Sequence, residues 1–124
     1  MRKQLSCIIV DDQPICIMLM TTLVKQCSEL NLVQTFTDPQ LASAYIKDNH
    51  KIDVLFTDVQ MPEISGIELA AEVYQQVEHV VFVTSSPKSE IKTEKPLKWY
   101  YLPKPVNITD LKKLLSDLTR NSRL

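Results

Sequence analysis

Three apolar runs of strand length each stop abruptly at side-chain oxygens. Ile8-Ile9-Val10 runs into Asp11-Asp12, Val54-Leu55-Phe56-Thr57 into Asp58, and Val80-Val81-Phe82-Val83 into Thr84-Ser85-Ser86. The runs are nearly solid Val, Ile, Leu and Phe, with no alternation of polar residues. Strands of that kind are covered by helices on both faces, as in parallel sheets. Segments of helix length lie between them, so the chain reads as a series of βαβ units, an α/β domain built on a mostly parallel sheet.

The expected strands are Leu5–Val10, Leu32–Phe36, Asp53–Thr57, His79–Val83 and a short Trp99–Leu102. The first expected helix, Pro14–Cys27, opens on a proline whose missing N–H costs nothing there. Asp38-Pro39 reads as a cap followed by proline at the first helical position. Ser65–Val77 begins with Ser65 and Glu68 at capping-box spacing. Asn107–Thr119 carries Ile108, Leu111, Leu114, Leu115 and Leu118 on one face. A fourth helix should lie between Pro87 and Lys98, but this stretch has four lysines, two glutamates and only Ile91 and Leu97 as apolar anchors. Pro96 also bars a continuous helix to its end.

All strands of a parallel sheet end at one edge, and ligand sites of open α/β sheets lie there. Asp11, Asp12, Asp58, Thr84 and, after the fifth strand, Lys104 are therefore expected to converge. Three clustered carboxylates raise each other's pKa unless compensated. A hard divalent cation such as Mg2+ is the usual compensation. A lysine opposite it can pair with a carboxylate or a phosphoryl oxygen. That inventory suits phosphoryl transfer to a carboxylate nucleophile.

Bulk properties bound the alternatives. The chain has 124 residues, enough for one domain, with 44% hydrophobic and 23% charged residues. Fourteen basic residues against fifteen acidic ones give a net charge of −1, without the basic excess of a nucleic-acid-binding domain. No apolar run reaches the roughly 18 residues of a membrane span. Met1-Arg2-Lys3 leads directly into the first strand with no signal-peptide pattern, so a cytoplasmic location is expected. Cys7, Cys16 and Cys27 fit no metal or disulfide spacing and are read as buried thiols. His50 and His79 have no partner by spacing and are read as non-catalytic.

The segments IIVDD (Ile8–Asp12), DVQMPEISG (Asp58–Gly66), VFVTS (Val81–Ser85) and YLPKP (Tyr101–Pro105), in this order, resemble receiver domains of two-component response regulators. The resemblance covers essentially the whole chain, and its wording is most similar to receivers attached to LytTR-type DNA-binding domains. It implies a flavodoxin-like (βα)5 sandwich with a five-stranded parallel sheet of order 2-1-3-4-5 and helices on both faces. It implies Asp58 as phosphoacceptor, and Mg2+ held by Asp12 directly, Asp11 through water, Asp58, and the backbone carbonyl of Gln60. Lys104 is expected on the phosphoryl group, and Thr84 and Tyr101 as a coupled switch. The Lys104–Pro105 bond is expected to be cis. The implied partners are a histidine kinase or histidine phosphotransfer protein. A homodimer is expected through the face of the fourth helix, fifth strand and fifth helix. No nucleic acid or membrane is expected to contact this domain, and any DNA-binding output region belongs beyond Leu124.

Two departures stand out: Gln13 where the family often has glutamate, and Ser85 where it favours alanine or glycine. The first helix poses a separate question. Ile15–Met20 (ICIMLM) is apolar on every face, and Ile17 with Met18 is expected to form a docking patch for the phosphodonor. Two other functions use similar residues. An aspartyl-phosphate phosphohydrolase wants a second acid at the position of Gln60. A pure interaction module does not need the intact Asp11, Asp12, Asp58, Thr84 and Lys104 set.

Overall fold

The computed structural model describes residues 4–48 and 51–120. Along them run β1 (Leu5–Val10), α1 (Pro14–Lys25), β2 (Leu30–Phe36), α2 (Pro39–Asp48) and β3 (Ile52–Thr57). Then come α3 (Gly66–Val73), β4 (Val77–Thr84), β5 (Lys98–Pro103) and α4 (Ile108–Arg120). The strands form one parallel sheet of order β2-β1-β3-β4-β5, as the resemblance implies. The order reverses between β1 and β3, which makes the crevice at their carboxyl ends the expected site.

Each inner strand carries two cores. Cys7, Ile9, Phe56 and Val83 face α1 and α4, whose Met20, Val24, Leu111, Leu115 and Leu118 are buried there. Ile8, Val10, Leu55 and Phe82 face α2 and α3, against Ala42, Ile46, Leu69 and Val73. Burial on both faces is why these strands read as solid apolar runs.

The caps form as their sequences suggest. The Asp38 carboxylate accepts from the Gln40 N–H at 2.9 Å. The Ser65 hydroxyl accepts from the Glu68 N–H, and the Glu68 carboxylate accepts from the Ser65 N–H. The Asn107 side chain accepts from the Asp110 N–H at 2.8 Å and starts α4.

Three sequence expectations change. The expected fourth helix is a single 3-10 turn, Lys88–Glu90, followed by irregular chain with a bend at Lys95, so among the described residues four α-helices cover the sheet. Ile91 is buried and Leu97 half-buried against the second core, and they anchor this crossover without a helical face. A dimer face containing a fourth helix thus lacks that helix, leaving β5 and α4. Secondly, α3 stops at Val73, four residues short of the expected end, because β4 begins at Val77 opposite Ile52. Completing the ladder along β3 outweighs the helical pattern of the sequence. Thirdly, Cys16 is half-exposed, whereas Cys7 and Cys27 are buried as expected; all three are free thiols. Burial, with smaller contributions from Cys27 and Asp53, pushes the Cys7 thiol up to about 12.

His79 is wholly buried on β4, with no hydrogen-bond partner for either ring nitrogen. Its ring meets Tyr100 edge-on at 5.7 Å. The reading of His50 as non-catalytic lies outside the described residues. Among the described residues, no helix is long and apolar enough to cross a membrane.

Candidate functional site

Asp11, Asp58 and Lys104 are each the first residue after their strand. Each donates its backbone N–H to the last carbonyl of the neighbouring strand: Asp11 to Phe36 (3.1 Å), Asp58 to Val10 (3.1 Å) and Lys104 to Thr84 (3.0 Å). The ladder thus runs one residue past each strand and fixes where these side chains start. Val10 pairs with Thr57, which sets Asp11 beside Asp58. The Lys104–Pro105 peptide is cis.

The Lys104 ammonium lies 2.8 Å from Asp11 Oδ2 and 3.2 Å from Asp58 Oδ2, so residues tens of positions apart meet in one cluster. Burial by itself lowers the pKa of this amine. Hydrogen bonding to Asp11 and the charges of Asp11 and Asp58 outweigh it, and the net direction is upward. The lysine therefore stays charged throughout the ordinary pH range. The remaining carboxylate oxygens are also engaged. Asp11 Oδ1 accepts from the Gln13 N–H at 3.0 Å, and Asp58 Oδ1 from the Val59 N–H at 2.7 Å.

Ligand oxygens of Asp11, Asp12 and Asp58 lie within 4.8 Å of one another. Three carboxylates against one ammonium leave two negative charges uncompensated. The hard oxygen donors and that residual charge fit a divalent cation of the Mg2+ type.

Thr84 is buried, and its hydroxyl accepts from the Ser86 N–H at 3.1 Å. The half-buried Tyr101 donates its hydroxyl to the Ser86 carbonyl at 2.8 Å. The two switch candidates are thus joined through the backbone of one residue, Ser86, which the sequence did not single out. No sequence pattern marks a backbone contact of this kind.

Gly66, the one glycine of the chain, permits a close backbone approach. A Cβ there would lie 1.8 Å from the Asp58 carbonyl oxygen. Its N–H donates to the Val59 carbonyl at 2.7 Å, which ties α3 to the acidic turn.

A groove of about 660 Å³ opens beside this cluster, between α1 and the Lys104–Val106 turn. Cys16, Leu19 and Leu23 form one wall, and Phe56 and Val83 its floor. Next to it Ile15, Met18 and Leu19 are 57%, 63% and 61% exposed. Ile17 instead packs against the first core, so the exposed apolar patch is Ile15, Met18 and Leu19.

A doubly wound sheet with an acidic cation site and a lysine at its carboxyl edge defines a flavodoxin-like α/β domain equipped to handle phosphoryl groups. The chain belongs to the response regulator receiver domain family, whose model matches residues 7–116. It is 32% identical over 119 residues to the two-component response regulator ARR10 of Arabidopsis thaliana, covering 93% of this chain and 21% of that protein. It is 32% identical over 114 residues to the transcriptional regulatory protein BtsR of Escherichia coli K12, covering 90% of this chain and 46% of that protein. The chain thus spans between about a fifth and a half of these relatives. Its fold matches the PhyR receiver domain of Erythrobacter litoralis with a TM-score of 0.79 at 20% identity, covering 98% and 94% of the two chains. A CheY-like receiver from Methylobacillus flagellatus matches with a TM-score of 0.75 at 20% identity, covering 94% and 99%. Receiver domains accept a phosphoryl group on an aspartate and bind Mg2+ at an acidic cluster, and they communicate with histidine kinases or phosphotransfer proteins.

Proposed function

We propose that Asp58 is the phosphoacceptor of this receiver. The carrying observation is that its carboxylate lies 3.2 Å from Lys104 and within the Asp11–Asp12–Asp58 cluster, at the carboxyl edge of the sheet. A carboxylate oxygen of Asp58 attacks phosphorus, the P–N bond of a phosphohistidine donor breaks, and the imidazole leaves with the electron pair. Asp12, Asp58, the Gln60 carbonyl and, through water, Asp11 would hold Mg2+, which would neutralise charge on the migrating phosphoryl group. Lys104 leaves Asp58 for a phosphoryl oxygen. The Thr84 hydroxyl turns from the Ser86 N–H towards another, and the loop carrying Ser86 releases or repositions Tyr101. The signal is a population shift between two packings. The domain catalyses only its own phosphorylation and dephosphorylation.

The donor docks on the exposed Ile15, Met18 and Leu19 patch, which lies beside the groove leading to Asp58. The chain acts in the cytoplasm as the receiver of a longer transcriptional regulator of LytTR type, with DNA binding assigned to that other part. Its own dimerisation surface is β5 with α4.

The test is incubation with Mg2+ and acetyl phosphate or beryllofluoride, read by intact mass and NMR, for wild type and Asp58→Asn. A labile adduct of one phosphoryl group on the wild type alone is expected. No adduct and no spectral change would favour an interaction module, and rapid turnover of free phosphoesters a phosphohydrolase. Changing Ile15, Met18 and Leu19 to Glu should slow transfer from a phosphohistidine donor but leave labelling by acetyl phosphate unaltered. Equal slowing of both would refute the docking assignment.

A further inference from the structure

An ammonium has three N–H donors, and the structure gives Lys104 three partners. Two are the carboxylates of Asp11 and Asp58; the third is the sulfur of Cys16, 3.6 Å from Nζ. The Cys16 thiol in turn donates to the Gln13 Oε1 at 3.6 Å. Gln13 and Cys16 are three residues apart at the start of α1, the spacing that puts two side chains on one helical face. The Cys16 N–H also donates to the Gln13 carbonyl at 3.0 Å, which locks that turn. With its proton committed to Gln13, the thiol presents its lone pairs to the lysine.

We propose that the Gln13–Cys16 pair is a positioning device for Lys104 in phosphoryl transfer, a role that rests on the assignment of Asp58 as acceptor. Lys104 must exchange one anionic partner, the Asp58 carboxylate, for a phosphoryl oxygen. Throughout that exchange a neutral sulfur anchor holds one N–H fixed without competing for the charge. The other two N–H groups then remain aimed at Asp11 and at the acceptor. Gln13 does what a glutamate there would not. A carboxylate at that place would add a fourth negative charge to those of Asp11, Asp12 and Asp58, whereas the carboxamide only orients the thiol. Cys16 is a positioning residue and touches no reacting atom.

The test compares Cys16→Ala, Cys16→Ser and Gln13→Leu with the wild type. Labelling rates are measured across an acetyl phosphate series at saturating Mg2+. Hydrogen exchange of the Lys104 ammonium is followed by ¹⁵N NMR without phosphodonor. Loss of one weak hydrogen bond to the lysine should slow the maximal labelling rate about 3- to 10-fold in Cys16→Ala, with the half-saturating donor concentration unchanged. Lys104 exchange should accelerate in the same variant, and Cys16→Ser, which restores a donor and acceptor, should recover both. Gln13→Leu, at an exposed position, should give a smaller slowing of the same kind. The proposal is overturned if Cys16→Ala keeps both wild-type values, or if Cys16→Ser is as impaired as Cys16→Ala, since lost volume then explains the effect. A wild type that takes no phosphoryl group refutes the assignment of Asp58, while the exchange data still decide whether Cys16 holds Lys104.

Discussion

Replacing Gly66 with Ala tests how closely the acidic turn and α3 are built together. The added Cβ would stand 1.8 Å from the Asp58 carbonyl oxygen and 2.8 Å from its carbon, where real Cβ contacts are essentially never under 3.0 Å. The two backbone segments must therefore separate by at least 1.2 Å, the shortfall of the 1.8 Å contact from 3.0 Å. Neither side yields freely. Asp58 is held by its N–H to Val10, and Gly66 by its N–H to Val59 together with the Ser65–Glu68 capping box. Overpacking of this kind costs about 1–3 kcal/mol, and losing one of these buried hydrogen bonds about 1–3 more. A total of about 2–6 kcal/mol is a large fraction of the stability of a domain of this size, which should be visibly weakened. A displacement of about 1 Å at the acceptor should also slow phosphoryl transfer by about 100-fold. Urea unfolding gives the first quantity, and labelling with acetyl phosphate and Mg2+, followed by intact mass, gives the second. Glu68→Ala is the control. It removes half of the capping box, costs about 1 kcal/mol, and leaves Asp58 in place with near-normal labelling. If Gly66→Ala unfolds within 0.5 kcal/mol of wild type and labels at the same rate, the close approach does not govern the acceptor and the reasoning fails.

Three further outcomes follow from the site and core. Mg2+ at about a hundred times its Kd should stabilise the wild type by about 2.7 kcal/mol, and Asp12→Ala should lose most of that gain. Equal Mg2+ stabilisation of both in thermal melts would remove Asp12 from the metal site. Burial lowers the His79 pKa below its ordinary 6.5, opposed by Glu78, which lies 3.8 Å away. The unfolded chain therefore binds the proton first, and stability present above about pH 6.5 is lost as pH falls towards the folded-state value. His79→Phe should flatten that loss, and an unchanged slope between pH 7 and 5 would refute the assignment. Glu63 has φ 72°, a left-handed conformation that disfavours a side chain, so Glu63→Gly should gain about 0.5–1 kcal/mol in urea melts. No gain would mean that the turn is unstrained.

Much of the fold follows from local sequence. Runs such as Val54–Thr57, short and ending at turn residues, read as strands buried on both faces, and Asp38-Pro39 and Ser65…Glu68 mark helix starts through their own hydrogen bonds. The amphipathic pattern of Leu111, Leu114, Leu115 and Leu118 lies within one helix and is read without knowing its neighbours. The segment after β4 was legible in part. Its prolines and sparse anchors argue against a long helix, but only the burial of Ile91 against the second core shows that a 3-10 turn and irregular chain suffice to cover the sheet. The end of α3 was not legible, because it depends on where β4 must begin to pair with β3.

The site divides in the same way. The sequence by itself determined which chemical groups stand at the strand ends: the carboxylates of Asp11, Asp12 and Asp58, the Thr84 hydroxyl and the Lys104 ammonium. Strand order places them at one edge, so their convergence follows from the parallel topology. Only the tertiary structure decided their pairing. It set Lys104 between Asp11 and Asp58, gave its third N–H to Cys16, joined Thr84 to Tyr101 through Ser86, and turned Ile17 inward while leaving Met18 exposed. The physical reason is range. Strand and cap propensities act over a few residues, whereas these contacts span up to 93 positions and depend on the register of neighbouring strands and the rotation of α1 against the sheet.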